Sequence, residues 1–416
     1  MTLEGRRILY ISYNGMLDPL GQSQVLPYLK QLHRLGVRFW LISFERSHAF
    51  TETGRIRAKT LREELSQCGI EWHVLRYHQK PSLPATSFDV ANGVRLGASL
   101  MRKHKIEMVH ARAQVPAVMA LALKRRFGAK MIFDVRGLMA EEYVDAGHWR
   151  PHGVPKWLTK TMEARSLRTA NGIVTLTDAL WDAMQSWPAV KGLKVAHQTI
   201  PCCVDLNRLR FDQEQREARR NELQLGDRFV LIYCGSVGGW YMTDEMAKFF
   251  SVLRLKKPQA FFLWLTHGSH AIVSDAMQRH EIPATDYAVK TVEPAAIPNY
   301  LSAADAGIAF FRPGISRLGT SPVKVSEYLA CGLPIIINAR VGDSDQLVTR
   351  ENVGARVQSF SVAEYDNAIK SLEKFVTQPN ETRRHTRAVA ERLFDLGRVG
   401  ATRYAALYKQ VLRDGA

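Results

Sequence analysis

Ser321-Pro322-Val323-Lys324-Val325-Ser326-Glu327-Tyr328-Leu329-Ala330-Cys331-Gly332-Leu333-Pro334-Ile335-Ile336-Ile337 reads as a capped helix running into a buried strand. Serine caps exposed backbone amides and proline suits the first helical position, so a helix is expected from Ser321-Pro322 to Ala330 or Cys331. Gly332 stops it, and Pro334–Ile337 enters a strand. A further apolar run, Gly307–Phe311, precedes the turn Arg312–Thr320, so the helix N-terminus is expected at a strand's carboxyl end. Free amides and the positive end of the helix dipole favour a phosphate there. Lys324 and Glu327 share a helix face, a cation beside the expected diphosphate and a carboxylate one turn on, where it can accept two ribose hydroxyls.

The same alternation extends outward in both directions. Ile8–Ile11, a helix over Gly21–Leu35 and Phe39–Ile42 make a βαβ opening. Strands are expected at Glu71–Leu75, Met108–Ala111, Lys130–Val135, Gly172–Thr177 and Val195–Ile200, then at Phe229–Gly235, Phe261–Thr266 and Tyr287–Val292. The polar stretch Asn207–Gly226 separates two α/β halves. The organisation expected is a Rossmann-like domain over 1–205, a second over 206–395, and a closing helix in 396–416 crossing back to the first. Two such doubly wound domains are expected to face a central cleft formed by the carboxyl ends of their strands.

At 416 residues, 46% of them hydrophobic, the chain exceeds the roughly 250–300 residues at which single cores stop growing. Its five cysteines, Cys68, Cys202, Cys203, Cys234 and Cys331, show neither a disulfide framework nor zinc spacing, which suits a reducing, cytoplasmic setting. Met1–Arg7 lacks the layout of a secretory signal, and no apolar run approaches the ~18–20 residues of a membrane span. A formal charge of +17 attracts polyanions, among them lipid headgroups and nucleotide phosphates. No nucleic-acid-binding motif accompanies it, so no nucleic-acid partner is expected. No G-x-G-x-x-G occurs after the first strand or over Gly235–Gly239, which disfavours a dehydrogenase.

Glu327-Tyr328-Leu329-Ala330-Cys331-Gly332-Leu333-Pro334 resembles the glutamate and Ala-Cys-Gly-x-Pro run of the retaining GT-B glycosyltransferases of family 4. Ile200-Pro201-Cys202-Cys203-Val204-Asp205 is similar to that family's Ile-Pro-Asn-Gly-Val-Asp, and Tyr300–Asp305 to its aspartate-ended helix. The resemblance implies transfer of a sugar from a UDP- or GDP-linked donor with retained anomeric configuration and no metal or cofactor. The chain departs from the family at two places. Gly319 stands where the family often has a first glutamate, and Gly235-Ser236-Val237-Gly238-Gly239-Trp240-Tyr241 replaces the usual Gly-Arg and Lys. Lys324 is therefore the first candidate for the diphosphate, with Arg312 and Arg317 behind it. The chain is similar to the subset with Ser-Pro-x-Lys before a single glutamate.

The expected donor site comprises Gly21, Gly235, Ser236, Val292, Thr320, Ser321, Lys324, Val325 and Glu327. Gly21 lies in the loop after the first strand, where its small size lets substrate approach the backbone. Gly235 and Ser236 follow a strand and present their backbone to the phosphates, and Val292 faces the base. Acceptor contacts are expected from Asn14, Gln22, Asp134, Arg136 and Glu141 or Glu142. His110 and Arg136 join Lys324 and Glu327 as candidate catalytic residues, His110 against the alternative of a core histidine, Arg136 as a seat for an anionic group. In front-face transfer the departing diphosphate oxygen takes the acceptor's proton, so no enzyme nucleophile is needed.

Trp149–Arg168 mixes tryptophans with cations. With Arg102, Lys103, Lys105, Lys124, Arg125 and Arg126 it forms a candidate face for anionic lipid, which suits a glycan or lipid-linked acceptor and peripheral attachment to a membrane. Two competing functions remain at this point: a nucleotide-sugar epimerase of the same fold, and a non-catalytic protein that binds membranes or polyanions.

Overall fold

The computed structural model describes residues 2–80 and 82–413. The chain forms two compact units, Met1–Pro201 with Leu396–Ala416, and Cys202–Asp395.

The first unit carries strands β1 (Arg7–Ser12), β2 (Arg38–Glu45), β3 (Ile70–Arg76), β4 (Met108–Arg112), β5 (Lys130–Val135), β6 (Gly172–Thr175) and β7 (Ala196–Thr199). They form one sheet in the order β3-β2-β1-β4-β5-β6-β7, with every pairing parallel. The second unit carries β8 (Val230–Cys234), β9 (Phe261–Leu265), β10 (Tyr287–Lys290), β11 (Ala306–Ala309), β12 (Ile335–Asn338) and β13 (Gly354–Val357), ordered β10-β9-β8-β11-β12-β13 and again parallel. Both are doubly wound sheets with crossover helices.

Strands β8 and β9 are continuous apolar runs because both sheet faces are covered there. In β8, Val230 and Ile232 pack into one core while Leu231 and Tyr233 pack into the other; in β9, Leu263 and Leu265 oppose Phe262 and Trp264. Four of the five cysteines are buried, and no disulfide forms among the described residues.

Several expectations need correction. The helix over Gly21–Leu35 is two, Pro19–Gln24 and Leu26–Arg34, broken at Val25 (φ −124°, ψ −66°). Pro27 lacks the N–H that would carry the ladder through. Strand β10 stops at Lys290, so Val292 lies beyond it, and β13 had no expected counterpart.

The first unit ends at Pro201 rather than Asp205. Cys202 N–H donates to Ser321 Oγ (3.1 Å), Cys202 C=O accepts from Ser326 Oγ (2.7 Å), and Val204 N–H donates to Phe394 C=O (2.9 Å), which ties this segment to the second unit. Helices Val362–Thr377 and Pro379–Leu393 complete that unit. A π-helical turn, Leu396–Ala401, then leads into the helix Thr402–Arg413, which packs beside β7 in the first unit.

Candidate nucleotide and acceptor sites

In the second unit the helix begins at Val323 and ends at Ala330, with Pro322 in extended conformation at the cap position. Ser321 makes no cap bond; its hydroxyl receives the Cys202 N–H instead. No side chain caps the first amides of the helix, and of these Val325 N–H donates to Pro322 C=O (3.0 Å). Gly332 (φ +79°) supplies the left-handed stop.

Lys324, one residue into this helix, is buried, and its Nζ reaches the end of β8, 3.0 Å from the Tyr233 hydroxyl. It lies 3.9 Å from the Tyr241 ring centre, 4.3 Å from that of Tyr233 and 5.4 Å from that of Phe311. Gly235 (φ +147°) closes the cage, because a Cβ there would meet Nζ at 2.8 Å. Burial lowers the ammonium pKa to about 7, against the opposing pull of Cys234 and Glu327. Lys324 is thus a buried amine whose charged form is disfavoured at the carboxyl end of a strand.

Glu327 is half-buried one turn further along, and its carboxylate makes no hydrogen bond or ion pair among the described residues. Burial raises its pKa, opposed by Arg208 and Lys324. The Tyr328 hydroxyl accepts the Cys234 N–H at 2.8 Å, which fixes the helix against β8. A Cβ at Gly307 would strike the Tyr328 ring at 2.3 Å, so close helix–strand packing needs glycine there.

Other expected donor residues divide. Gly235 N–H is used by Leu265 C=O (2.9 Å), whereas Ser236 is exposed and its N–H makes no hydrogen bond among the described residues. Thr320 N–H donates to Arg317 C=O. Val325 does not reach a ligand through its side chain: it is fully buried in the core, and its N–H donates to Pro322 C=O. Val292 is half-buried beyond β10, packs on the core and leaves its backbone groups unbonded among the described residues. Arg312 is exposed, and the Arg317 guanidinium lies 4.7 Å from the Trp240 ring centre. The aromatic cage of Lys324 is what sequence reading missed; Tyr233 sits inside a strand and reads as core.

In the first unit, Gly21 does not leave space for substrate. A Cβ there would meet Gly15 C=O at 2.2 Å, so the glycine serves contact between the helix Pro19–Gln24 and its own loop. That loop folds over buried Glu45, which accepts from the N–H groups of Met16 (2.6 Å) and Leu17 (3.3 Å). Gln22 is exposed and donates to Met16 C=O.

His110 and Asp134 are core residues. His110 Nδ1 lies 2.6 Å from the Tyr408 hydroxyl and its Nε2 3.4 Å from Asp134 Oδ2, and the Tyr404 hydroxyl donates to Asp134 at 2.7 Å. Burial lowers the His110 pKa, so the ring is neutral. Burial also works to raise that of Asp134, but Arg136, then His110 and Arg112, hold it below the usual carboxylate range. Neither side chain is placed to touch an acceptor. Glu141 pairs with Lys160 at 3.2 Å.

Asn14 and Arg136 do come together. They line a recess of about 240 Å³ with Tyr13, Gln114 and Glu142, at the carboxyl ends of β1, β4 and β5. No three or more His, Cys, Asp or Glu side chains cluster as a metal site among the described residues.

The fold these units define is GT-B, the two-domain Rossmann-like fold of glycosyltransferases. HepE of Anabaena, solved in complex with UDP, is similar at 15% identity and TM-score 0.72 over 97% of this chain and 100% of that one. A sucrose-phosphate synthase of Thermosynechococcus elongatus is similar at 15% identity and TM-score 0.72 over 99% and 100%. A glycosyltransferase of Rickettsia africae is similar at 14% identity and TM-score 0.70 over 99% of each chain. More particularly, residues 319–394 match the family model described as Glucosyltransferase 3-like, C-terminal domain. That match begins at the glycine before the Lys324 helix. No curated protein matches the chain in sequence.

Proposed function

We propose that the protein is a retaining, metal-independent glycosyltransferase that uses a nucleotide-sugar donor, UDP- or GDP-linked, bound by the second unit. The observation that carries this reading is the Lys324 ammonium, caged by Tyr233, Tyr241 and Phe311 at the end of β8 beneath an uncapped helix start. Lys324 holds the diphosphate with the helix amides and Ser236 N–H, and the unpaired Glu327 carboxylate accepts the ribose hydroxyls. The solved structures with this fold support the reading, since HepE carries UDP. Gly319 brings no carboxylate to the donor sugar, so sugar choice rests on other side chains.

The acceptor hydroxyl oxygen attacks the anomeric carbon as the bond from that carbon to the diphosphate breaks, and the departing phosphate oxygen takes the hydroxyl proton. Lys324 stabilises the charge that develops on this leaving group. The acceptor, a glycan or lipid-linked sugar, is taken by the first unit at the recess of Asn14 and Arg136.

Work at the inner face of a membrane fits the surface of the first unit. Val154 (68% exposed) and Trp157 (66%) project from the helix Val154–Thr169, beside Arg150 and Lys156. Lys124 does not join this face, because its Nζ donates to Thr169 C=O and Asn171 Oδ1. No described helix is long and apolar enough to cross a membrane.

Incubation with UDP- and GDP-sugars, followed by product analysis, tests the reaction. Free nucleoside diphosphate and a glycoside of retained configuration are expected; an epimerised sugar formed without any acceptor would contradict transfer.

A further inference from the structure

A second recess lies wholly within the second unit, at the edge of its sheet opposite Lys324. It measures about 860 Å³, and its lining includes Phe229, Asp305 and Pro334, the residues that immediately precede β8, β11 and β12. Lys324 reaches the other end of β8, so this recess is separate from the expected donor site. The volume is that of a small-molecule pocket, far more than one phosphate fills.

Its walls carry Arg216, Arg220, Lys257 and Arg383. The first two hold the fold together. Asp305 accepts from Arg216 Nη2 at 2.6 Å and from Arg220 Nη1 at 3.4 Å, and it also receives the Val230 N–H at 2.8 Å. Other donors of the two arginines go to main-chain carbonyls, those of Ser302 and Ala304 for Arg216 and of Ala303, Gly226 and Arg228 for Arg220.

Arg383 and Lys257 differ from them. The Arg383 stem lies against Gly332, where a Cβ would meet its Cγ at 2.9 Å, and its guanidinium sits 4.2 Å from the Phe211 ring centre. The residue is half-buried and its guanidinium makes no hydrogen bond or ion pair among the described residues. Burial, then Arg216, draws its pKa down to about 10 against the pull of Asp305, so it stays charged at neutral pH. Lys257 Nζ lies 5.7 Å from the Phe229 ring centre and likewise has no hydrogen bond or ion pair among the described residues. The carboxylates on the rim, Glu217 and Asp227, are exposed and pair with neither. Packing therefore fixes a guanidinium near two others without giving it an acceptor, an arrangement that works against stability. Leu333, Phe375 and Val376 give the same cavity an apolar side.

We propose that this recess is a binding site for a small organic anion, whose phosphate or carboxylate is held by Arg383 and Lys257 while its carbon body lies on the apolar side. The Phe211 ring holds the guanidinium plane, and a planar fork already in place suits a two-oxygen contact. The site stands apart from the nucleotide reading, because none of its residues belongs to the donor site.

The test is calorimetric titration of glucose 6-phosphate, glucuronate and neutral glucose into the full chain saturated with UDP. At least one anion is expected to bind and glucose not, and the tighter anion names the group the recess takes. Arg383→Met is expected to weaken that binding at least about tenfold with Tm equal to or above wild type, because it keeps the apolar stem and removes a cation without an acceptor. Lys257→Met is expected to weaken it in the same direction. Arg384→Met, which removes an exposed charge next in the chain, is expected to leave it unchanged. No anion binding, equal responses to glucose and the anions, or affinity untouched by Arg383→Met or by Lys257→Met would overturn the proposal. So would an equal loss in Arg384→Met, the signature of a general basic surface. If UDP fails to bind the wild type, the donor-site reading falls, and the same titrations in Lys324→Met protein still decide the recess.

Discussion

Lys324 holds its proton weakly in the folded chain, with a pKa near 7 against 10.5 for an unburied lysine. Between those values the unfolded chain carries a proton that the folded one lacks, so stability rises with pH across the window. Below pH about 7 both states are protonated and the slope vanishes. Urea denaturation at several pH values is expected to show this rise in the wild type and to lose it in Lys324→Met. Nucleotide binding has the opposite sign: a diphosphate beside Nζ raises its pKa, so the complex takes up a proton above pH about 7 and affinity falls as pH increases. Calorimetry in buffers of different ionisation enthalpy measures that uptake. Loss of the charged contact in Lys324→Met is expected to cost about 1.5–3 kcal/mol of nucleotide binding.

The pairing of Lys324 with Glu327 on one helix face was legible in the sequence, because spacing alone sets it. The state of the lysine was not. It depends on Tyr233 and Tyr241 meeting Phe311, which lies about 70 residues further on and joins them through the pairing of β8 with β11 and the isolated bridge of Tyr241 to Phe311. His110 and Asp134 show the reverse error: their position at strand ends suggested an accessible site, yet Tyr404 and Tyr408 from the chain's last helix cover them.

At the scale of elements, the helix Val323–Ala330 is fastened by hydroxyl groups rather than capped by them. Ser326 Oγ donates to Cys202 C=O and Ser321 Oγ accepts from Cys202 N–H, so two serines hold one residue of the Ile200–Asp205 segment. Ser326→Ala removes the hydroxyl that donates to Cys202 C=O and is expected to destabilise the protein by about 1–3 kcal/mol, read by denaturant titration. Local sequence gave the helix, its glycine stop and the strand that follows. The cap was misassigned because Ser-Pro satisfies the same rule whether its hydroxyl turns inward to the helix or outward to another segment. The break at Val25 was written in Pro27, but the apolar periodicity on either side masked it.

Across the whole molecule, the alternation of strands and helices sufficed for two parallel sheets, since central strands such as β8 and β9 are apolar on both faces. It could not show that the last helix, Thr402–Arg413, supplies Tyr404 and Tyr408 to the first core, because a surface helix and a core helix share one period. Tyr408→Ala is expected to cost about 3–5 kcal/mol, measured by thermal or denaturant unfolding. The net charge of +17 and the exposed Val154 and Trp157 predict salt-sensitive binding to vesicles containing anionic lipid. Co-sedimentation with Trp157→Ala is expected to show reduced binding, and retention equal to wild type would contradict this face.

The central claim is that the helix after Gly319 holds a nucleotide through Lys324 and Glu327. Its most direct test is calorimetric titration of UDP and GDP into wild-type and Glu327→Ala protein. One nucleotide is expected to bind the wild type and to bind the variant at least about tenfold more weakly; identical affinities in the two proteins, or no binding of either nucleotide to the wild type, would contradict it.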